Sequence, residues 1–166
     1  VPTGRVATRD ELSRLADQCR ERDVLLCSDE AYCELWFEEP PESALSVGHE
    51  GVLAFFSLSK QATMTSYRVG FVAGDPDLIQ RFKTLRNYGG PTLPIPILAA
   101  SAALWDDDAH PQDNRALYRQ KFDLADQILR GRLGYYRPGG GFYLWLDVGD
   151  GEDAARRLWT EAGVRV

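Results

Sequence analysis

Two serines and a lysine follow an apolar segment of the sequence, and an arginine lies a short distance beyond. Residues 52–56 read Val-Leu-Ala-Phe-Phe, residues 57–60 read Ser-Leu-Ser-Lys, and the arginine is Arg68. An apolar run of this length is typical of a buried parallel strand, and α/β sheets bind ligands at the carboxyl ends of such strands. Desolvation there favours the neutral amine of Lys60, which can then attack a carbonyl or an aldehyde. The hydroxyls and the guanidinium suit a phosphate.

A second apolar run ends in ionisable residues in the same way. Residues 24–28 read Val-Leu-Leu-Cys-Ser, and Asp29 and Tyr32 follow within four positions. Because parallel strands end at the same edge of a sheet, we expect Asp29, Tyr32 and Lys60 to lie at one edge. The alternative for Lys60 alone is a strand-capping lysine that extends into solvent, since lysine is rarely buried.

Composition and charge restrict the class of protein. The 166 residues suit one domain, or one domain and part of another, and the hydrophobic fraction of 44% is ordinary for a globular protein. A formal net charge of −6 argues against nucleic acid or an anionic membrane as a partner. The sequence contains no apolar stretch long enough to span a bilayer and no secretory signal, so we expect a cytoplasmic protein.

Cysteine usage agrees with a reducing compartment. The three cysteines, Cys19, Cys27 and Cys33, contain no C-x-x-C pair, which argues against zinc and against disulfides. We expect them to be reduced core residues, and we expect no metal site.

Local patterns predict an alternation of helices and strands. Asp75 and Pro76 should begin the helix that follows the third strand, with Leu85 on its buried face. The third strand follows the second so closely that it should be antiparallel to it. The predicted elements are a helix over 9–22, strands over 24–28, 52–57 and 67–74, a helix from 76, a long interrupted helix over 97–132, a strand over 142–148, a helix over 151–162 and the start of a strand at 164–166.

Several motifs, in this order and spacing, resemble the class I/II family of pyridoxal-phosphate aminotransferases of fold type I. They are residues 2–4 (Pro-Thr-Gly), 29–32 (Asp-Glu-Ala-Tyr), 57–60 with 68–70 (Arg-Val-Gly), and 140–145 (Gly-Gly-Phe-Tyr-Leu-Trp). The lysine-to-arginine segment is the specific signal. The resemblance covers nearly the whole chain, but about the latter half of the family's length.

The resemblance implies an α/β fold of the aspartate aminotransferase-like type, with a mostly parallel sheet, flanking helices and part of a small α+β domain. Residues 1–100 would be the C-terminal half of the large cofactor-binding domain. Residues 101–134 would form a bridging helix, and residues 135–166 would be part of the small domain.

The resemblance also implies the role of each site residue. Lys60 would form a Schiff base with the aldehyde of pyridoxal 5'-phosphate and then move a proton on the substrate. Asp29 would lie against the pyridine nitrogen and keep it protonated, and Tyr32 would donate to the phenolic oxygen. Ser57 and Arg68 would hold the phosphate.

Each of these residues also has a structural interpretation. Asp29 could cap a strand end, Tyr32 could be a half-buried ring with its hydroxyl at the surface, and Ser57 could be a small strand residue. Arg68 could form a surface ion pair. The sequence departs from the family at Val1, where the family has asparagine, and at Ser66, where it has glycine, which puts the geometry of the loop before Arg68 in question.

The expected reaction is amino transfer between an amino acid and a 2-oxo acid, in a homodimer. Residues 57–60, the 88–96 loop and residues 114–122 look most like N-succinyldiaminopimelate aminotransferases of lysine biosynthesis, with 2-oxoglutarate as the partner oxo acid. Two alternatives remain open. One is the aminotransferase-like ligand-sensing domain of a transcription regulator, and the other is a different fold type I enzyme with this cofactor, such as a β-lyase.

Overall fold

The structure, a computed structural model, describes residues 3–90 and 92–166. The departure from the family at Val1 and the proline of the 2–4 motif therefore lie outside the described residues. The helices are α1 (Arg9–Glu21), α2 (Leu58–Gln61), α3 (Pro76–Gly89), α4 (Ile95–Trp105), α5 (Ala109–Leu129) and α6 (Gly151–Ala162), with two 3-10 turns at Ala44–Val47 and Thr65–Tyr67. The strands are β1 (Leu26–Asp29), β2 (Val52–Ser57) and β3 (Gly70–Gly74).

The three strands form one sheet in the order β1-β2-β3. β1 and β2 are parallel, with Asp29 opposite Phe55, and β2 and β3 are antiparallel, with Ser57 opposite Gly70. The short connection predicted an antiparallel third strand, and the pairing confirms it. Since β1 and β2 run in the same direction, their carboxyl ends meet at one edge of the sheet.

Sequence signals at the helix ends match the observed boundaries. Thr8 and Glu11 form a capping box at the start of α1, the S/T-x-x-E pattern that marks a helix start in sequence, and Gly163 ends α6 in a left-handed conformation with φ +66°. Asp75 caps α3 by accepting from the backbone N–H groups of Asp77 and Leu78. The hydrogen bond that the Gly51 N–H donates to Asp75 is the main reason that the pKa of this carboxyl lies below its usual value.

Two helix predictions were wrong in detail. The long helix over 97–132 is two helices, α4 and α5, because the acidic segment after Trp105 ends the first of them. Leu85 is 66% exposed, although its spacing placed it on the buried face of α3. Helical spacing identifies which side chains share a face, but the depth of packing depends on what lies against that face.

The predicted strand over 142–148 is absent, and residues 164–166 do not form a strand either. A strand exists only when a neighbouring segment completes its backbone hydrogen bonds. Among residues 3–90 and 92–166, the first of these segments has only the Trp36–Gly140 bridge beside it and a single backbone bond from the Asp147 N–H to the Leu133 carbonyl at 2.7 Å, which do not make a ladder. The strand prediction was therefore wrong about pairing, and exposure does not alternate along this segment, since Tyr143, Leu144 and Trp145 are all exposed.

Buried residues concentrate where the sheet meets the helices. Val52 and Ala54 on β2 and Leu58 on α2 are almost fully buried. Leu58, Ala62 and Val69 form one cluster, against which Ile97 and Trp105 pack among others. The three cysteines are free thiols, but Cys27 is exposed, so the prediction of a core position was wrong for it. Along β1 exposure alternates, and Cys27 lies on the more exposed face.

Two arginines of α5 hold the segment that follows β1. Arg115 is buried, donates to the backbone carbonyl and to the carboxylate of Glu34 at 3.1 and 3.0 Å, and lies 4.5 Å from the ring centre of Trp36. Arg119 donates to the carbonyl of Phe37 through two nitrogens, at 2.7 and 3.1 Å. These contacts fix the chain just beyond Tyr32 against α5.

No described helix, within residues 3–90 and 92–166, is long and apolar enough to cross a membrane. The domain limits at residues 100 and 134 stay a prediction.

Candidate active site

Asp29 is the last residue of β1 and lies at the edge of the sheet where β1 and β2 end. Its Oδ1 accepts a hydrogen bond from the N–H of Ala31 at 3.1 Å, which turns the chain away from the sheet. The Glu30 N–H continues the pairing with β2 by donating to the Phe55 carbonyl at 2.8 Å. Asp29 itself is exposed, so its charge is available at this edge.

Lys60 lies three residues beyond the end of β2, in the short helix α2. Ser57 is the N-cap of that helix, and its Oγ accepts from the Ser59 N–H at 3.2 Å. Leu58 is fully buried and anchors α2. Residues two apart on a helix face different directions, so the burial of Leu58 turns Lys60 away from the core and towards the sheet edge.

The Lys60 nitrogen lies beside two aromatic rings. Nζ is 5.8 Å from the ring centre of Tyr32 and 5.1 Å from that of Phe142. The Tyr32 and Phe142 ring centres are 5.5 Å apart. Lys60 forms no salt bridge with any residue in 3–90 or 92–166, so the rings are the main neighbours of its ammonium group in the described chain.

Tyr32 is influenced by the charge of Asp29, at the end of β1, and lies near the nitrogen of Lys60, beyond the end of β2. Burial is the main reason that the pKa of its hydroxyl rises to about 12, and the hydrogen bond with Tyr143 and the negative charge of Asp29 add to the rise. The Tyr32 hydroxyl thus remains a proton donor across the physiological pH range. Tyr32 lies near Lys60 and within the electrostatic influence of Asp29, so it is close to each of the other two predicted residues.

Ser57 and Arg68 lie on neighbouring turns. The Val69 carbonyl accepts from the Leu58 N–H at 3.3 Å and from the Ser57 hydroxyl at 3.5 Å, which joins the two turns. Arg68 has a left-handed backbone, with φ +56°, and its Nη1 donates to the Thr65 carbonyl at 3.1 Å. Its side chain is exposed and forms no ion pair with any residue in 3–90 or 92–166. The structural alternative for Arg68, a surface ion pair, is therefore not seen among the described residues, and its predicted role at a phosphate stays a prediction.

The glycine segment 139–141 pairs with residues 35–37 beyond β1. The Gly141 N–H donates to the Leu35 carbonyl at 2.6 Å, and the Phe37 N–H donates to the Gly139 carbonyl at 3.1 Å. A Cβ on Gly140 would lie 2.6 Å from the Leu35 carbonyl oxygen, so only glycine allows this approach. This pairing places the rings of Phe142 and Tyr143 beside that of Tyr32.

A cavity of about 200 Å³ adjoins the site on the Asp29 side. Asp29, Tyr32, Cys33 and Trp36 are among its lining residues, together with the turn at Gly4. Burial raises the pKa of the Cys33 thiol to about 12, so this cysteine lines the cavity as a neutral group. Lys60 is not among the lining residues and approaches Tyr32 from outside the cavity.

Phe142 and Tyr143 belong to the site's surroundings, and sequence reasoning gave neither residue a role. The available signal was an aromatic pair directly after three glycines, a place where the backbone can approach another segment closely. The sequence analysis assigned this segment to turn and strand, and nothing local indicated that it contacts Tyr32.

The assembled groups suit one kind of ligand chemistry. A primary amine can bond to a carbonyl carbon, a carboxylate can hold a proton on a ring nitrogen, and a neutral phenol can donate to a ring oxygen. A guanidinium and a hydroxyl on neighbouring turns can bind a phosphate.

Comparisons of the sequence and of the structure with known proteins both find aminotransferases. The family model described as "Aminotransferase class I and II" matches residues 1–166. The chain is 36% identical over 156 residues to the probable aminotransferase Rv1178 of Mycobacterium tuberculosis, a match over 90% of this chain and 37% of that protein. It is also 36% identical to the LL-diaminopimelate aminotransferase of Natranaerobius thermophilus, over 99% of this chain and 45% of that protein.

Solved structures that share this fold include aminotransferases. An aminotransferase from Neisseria meningitidis superposes with a TM-score of 0.92 at 36% identity, over 99% of this chain and 44% of that one. A double mutant of Thermus thermophilus aspartate aminotransferase superposes with a TM-score of 0.85 at 33% identity, over 99% of this chain and 45% of that one. The expected aspartate aminotransferase-like fold is thus confirmed, and the chain spans less than half the length of these relatives.

Proposed function

Because the chain belongs to the class I and II aminotransferases, whose members depend on pyridoxal phosphate, we propose that the full-length protein transfers amino groups between amino acids and 2-oxo acids. The observation that carries the proposal is the position of the Lys60 amine. It lies 5.8 Å from the ring centre of Tyr32, at the sheet edge where β1 delivers Asp29.

The donor set of the site fits this cofactor. Neither Lys60 nor Arg68 has a carboxylate partner among residues 3–90 and 92–166, so both cations are available to a ligand. Asp29 is exposed, and only one of its oxygens is needed for the turn at Ala31. Bound here, pyridoxal phosphate would supply an aldehyde and an electron-withdrawing ring.

Each residue has one proposed task. The Lys60 amine would hold the cofactor at its aldehyde and, once free, would move a proton at the α-carbon of the substrate. Asp29 keeps a proton on the ring nitrogen by its negative charge, and Tyr32 donates to the phenolic oxygen. Arg68 and Ser57 hold the phosphate, because a guanidinium forms charge-assisted hydrogen bonds with it and the Ser57 hydroxyl is only weakly engaged with the Val69 carbonyl at 3.5 Å.

For the substrate we propose a diaminopimelate derivative, the N-succinyl form, with 2-oxoglutarate as its counterpart. Several relatives of 30–36% identity are LL-diaminopimelate aminotransferases, which supports the diaminopimelate skeleton. Another relative, from Streptomyces rimosus, is a transaminase of an anhydrotetracycline, at 34% identity. The assay therefore has to separate N-succinyldiaminopimelate, LL-diaminopimelate and aspartate as amino donors.

The proposed assembly is a homodimer. The chain exposes many large apolar side chains, among them Tyr88 at 91% near the end of α3 and Ile95 at 80% at the start of α4. Exposed apolar clusters of this kind are typical of interaction surfaces. The molar mass of the full-length protein in solution would decide this point.

The amine of Lys60 is tested in the full-length protein with Lys60→Ala. Wild type incubated with pyridoxal phosphate should gain a visible absorbance band that remains on desalting, and should transfer amino groups, whereas Lys60→Ala should do neither. Lys121→Ala is a matched control, because the Lys121 nitrogen also lies against an aromatic ring, 4.7 Å from the centre of Tyr118. The control should retain both the band and the activity.

Two results would count against the proposal. If Lys60→Ala kept a stable band and activity equal to wild type, Lys60 would not be the bonding amine. If wild type formed the band but performed only elimination or ligand binding, the reaction class would be that of a β-lyase or a sensor domain.

A further inference from the structure

We propose that Tyr143 is a positioning residue of the site, which donates a hydrogen bond to the Tyr32 hydroxyl and thereby directs the Tyr32 proton towards the cofactor. This inference rests on the proposed function, because it assumes that Tyr32 contacts the phenolic oxygen of pyridoxal phosphate. It concerns a residue to which the sequence motifs assign no role.

The geometry brings the two phenols together across a long stretch of sequence. The oxygen atoms of Tyr32 and Tyr143 lie 3.3 Å apart, and the two residues are separated by 111 positions. Their ring centres are 6.3 Å apart, and the ring of Phe142 packs on both of them, at 5.5 and 4.7 Å. The Lys60 nitrogen lies over the Tyr32 and Phe142 rings, so the pair adjoins the reactive amine.

Tyr143 is held in place by its backbone and by its neighbour. The Gly141 N–H donates to the Leu35 carbonyl, and Gly140 forms a bridge with Trp36. Phe142 stacks on Tyr118 of α5, with ring centres 5.6 Å apart and planes 20° from parallel. The Tyr143 hydroxyl thus reaches Tyr32 from a segment that is fixed by the three residues before it.

The number of hydrogen bonds that a phenol can donate determines where the Tyr32 proton goes. A hydroxyl donates one proton and can accept from other donors. If Tyr143 donates to Tyr32, the single Tyr32 proton is free for a ligand oxygen, and the donated bond makes Tyr32 a stronger donor. If Tyr32 instead donated to Tyr143, its proton would be used within the protein and lost to the ligand.

Exposure favours the first arrangement. Tyr143 is 40% exposed, so water can donate hydrogen bonds to its oxygen while its own proton is donated to Tyr32. Tyr32 is less exposed and has the Tyr143 hydroxyl as its hydrogen-bonding neighbour among the described side chains. A ligand oxygen is then the natural acceptor for the Tyr32 proton.

The pH dependence of the cofactor's visible absorbance in the full-length holoenzyme measures this effect. A hydrogen bond to the phenolic oxygen withdraws negative charge from it and lowers the proton affinity of the adjoining Lys60 nitrogen. Tyr143→Phe should weaken that bond and raise the pKa of the absorbance change by roughly half a unit. Tyr32→Phe should raise the pKa further, because it removes the donor itself.

A double-mutant cycle separates positioning from a general structural effect. Tyr143→Phe added to Tyr32→Phe should cause no further change in this pKa, since the route from Tyr143 to the cofactor passes through Tyr32. The control Tyr135→Phe removes a hydroxyl bonded at 2.8 Å to Asp126, away from Lys60, and should leave the pKa as in wild type.

The inference is overturned if Tyr143→Phe leaves the pKa unchanged while wild type shows a Lys60-dependent band. It is also overturned if Tyr143→Phe shifts the pKa equally with and without Tyr32. A wild type without any Lys60-dependent band would overturn the proposed function and this inference together.

Discussion

At the scale of single residues, Asp29 combines a structural and a chemical property that can be separated. Its Oδ1 accepts from the Ala31 N–H, and its charge contributes to the raised pKa of Tyr32. An asparagine keeps an oxygen in the same position and removes only the charge. The substitution therefore tests the charge without removing the turn.

We predict that Asp29→Asn in the full-length protein lowers the rate of amino transfer by about 100-fold, because an electrostatic partner of the reacting ring is lost. The thermal unfolding midpoint should stay close to that of wild type. Steady-state kinetics and a thermal melt on the same preparations measure both quantities.

Asp147→Asn is a matched control for this substitution. Asp147 also uses Oδ1 to accept from a backbone N–H two residues on, that of Gly149 at 3.3 Å. Its variant should keep the wild-type rate. An Asp29→Asn enzyme of undiminished rate would show that the charge at this position has no part in the reaction.

The sequence was most informative where a residue follows directly on a strand. Asp29, Tyr32 and Lys60 could be placed together because parallel strands end at one edge, and the Lys60–Tyr32 contact of 5.8 Å agrees with that placement. Tyr143 could not be found in this way, because its contact with Tyr32 depends on tertiary pairing over 111 positions. The roles of all these residues stay predictions.

At the scale of elements, α5 positions the segment that leaves β1. The side chain of Arg115 is 10% exposed and its partner Glu34 is 38% exposed, so the ion pair is shielded from water mainly on the arginine side. Arg115 also covers the ring of Trp36. One side chain therefore connects α5 to the backbone, the charge and the ring of residues 34–36.

We predict that Arg115→Met lowers the free energy of unfolding of the full-length protein by about 1–3 kcal/mol, because it leaves the partly buried carbonyl and carboxylate of Glu34 without their charged donor. The methionine fills part of the space, so the main loss is in hydrogen bonding. Chemical denaturation followed by tryptophan fluorescence measures the change.

Arg156→Met is the matched control, since Arg156 pairs with Asp153 at 3.3 Å on the exposed side of α6. An exposed pair of this kind contributes about 0–1 kcal/mol. Equal effects of the two substitutions would contradict the positioning assigned to Arg115.

Element boundaries could be predicted where their causes are local. The caps at Thr8, Asp75 and Gly163 are such causes, and the structure confirms each of them. The strand predicted over 142–148 failed because its alternation of side chains gives no information on a pairing partner. The division of the predicted 97–132 helix, in contrast, could be seen in the sequence. The acidic residues after Trp105 interrupt the helical pattern, and α4 ends there.

At the scale of the whole molecule, apolar surface is unevenly covered. α4 consists almost entirely of apolar residues on all its faces, yet only Ser101 in it is buried. A helix that is apolar all round is typical of a position enclosed by protein. Trp159 on α6 is 62% exposed as well.

We predict that the isolated 166-residue chain catalyses no measurable amino transfer, while the full-length protein does, because these surfaces need partners before the site is fixed. Binding of a hydrophobic fluorescent dye should be strong for the isolated chain and weak for the full-length protein. Dye fluorescence and a coupled transamination assay measure the two properties. Transamination by the isolated chain would contradict the prediction.

The pairing of residues 35–37 with residues 139–141 has a consequence for biosynthesis. During translation the first of these segments leaves the ribosome about a hundred codons before the second, and contacts so distant in sequence form late. Tyr32 and Lys60 are therefore exposed on the nascent chain before Phe142 and Tyr143 can cover them. A cofactor bound in that interval would have to be held by the sheet edge alone, because Phe142 and Tyr143 reach their positions only afterwards.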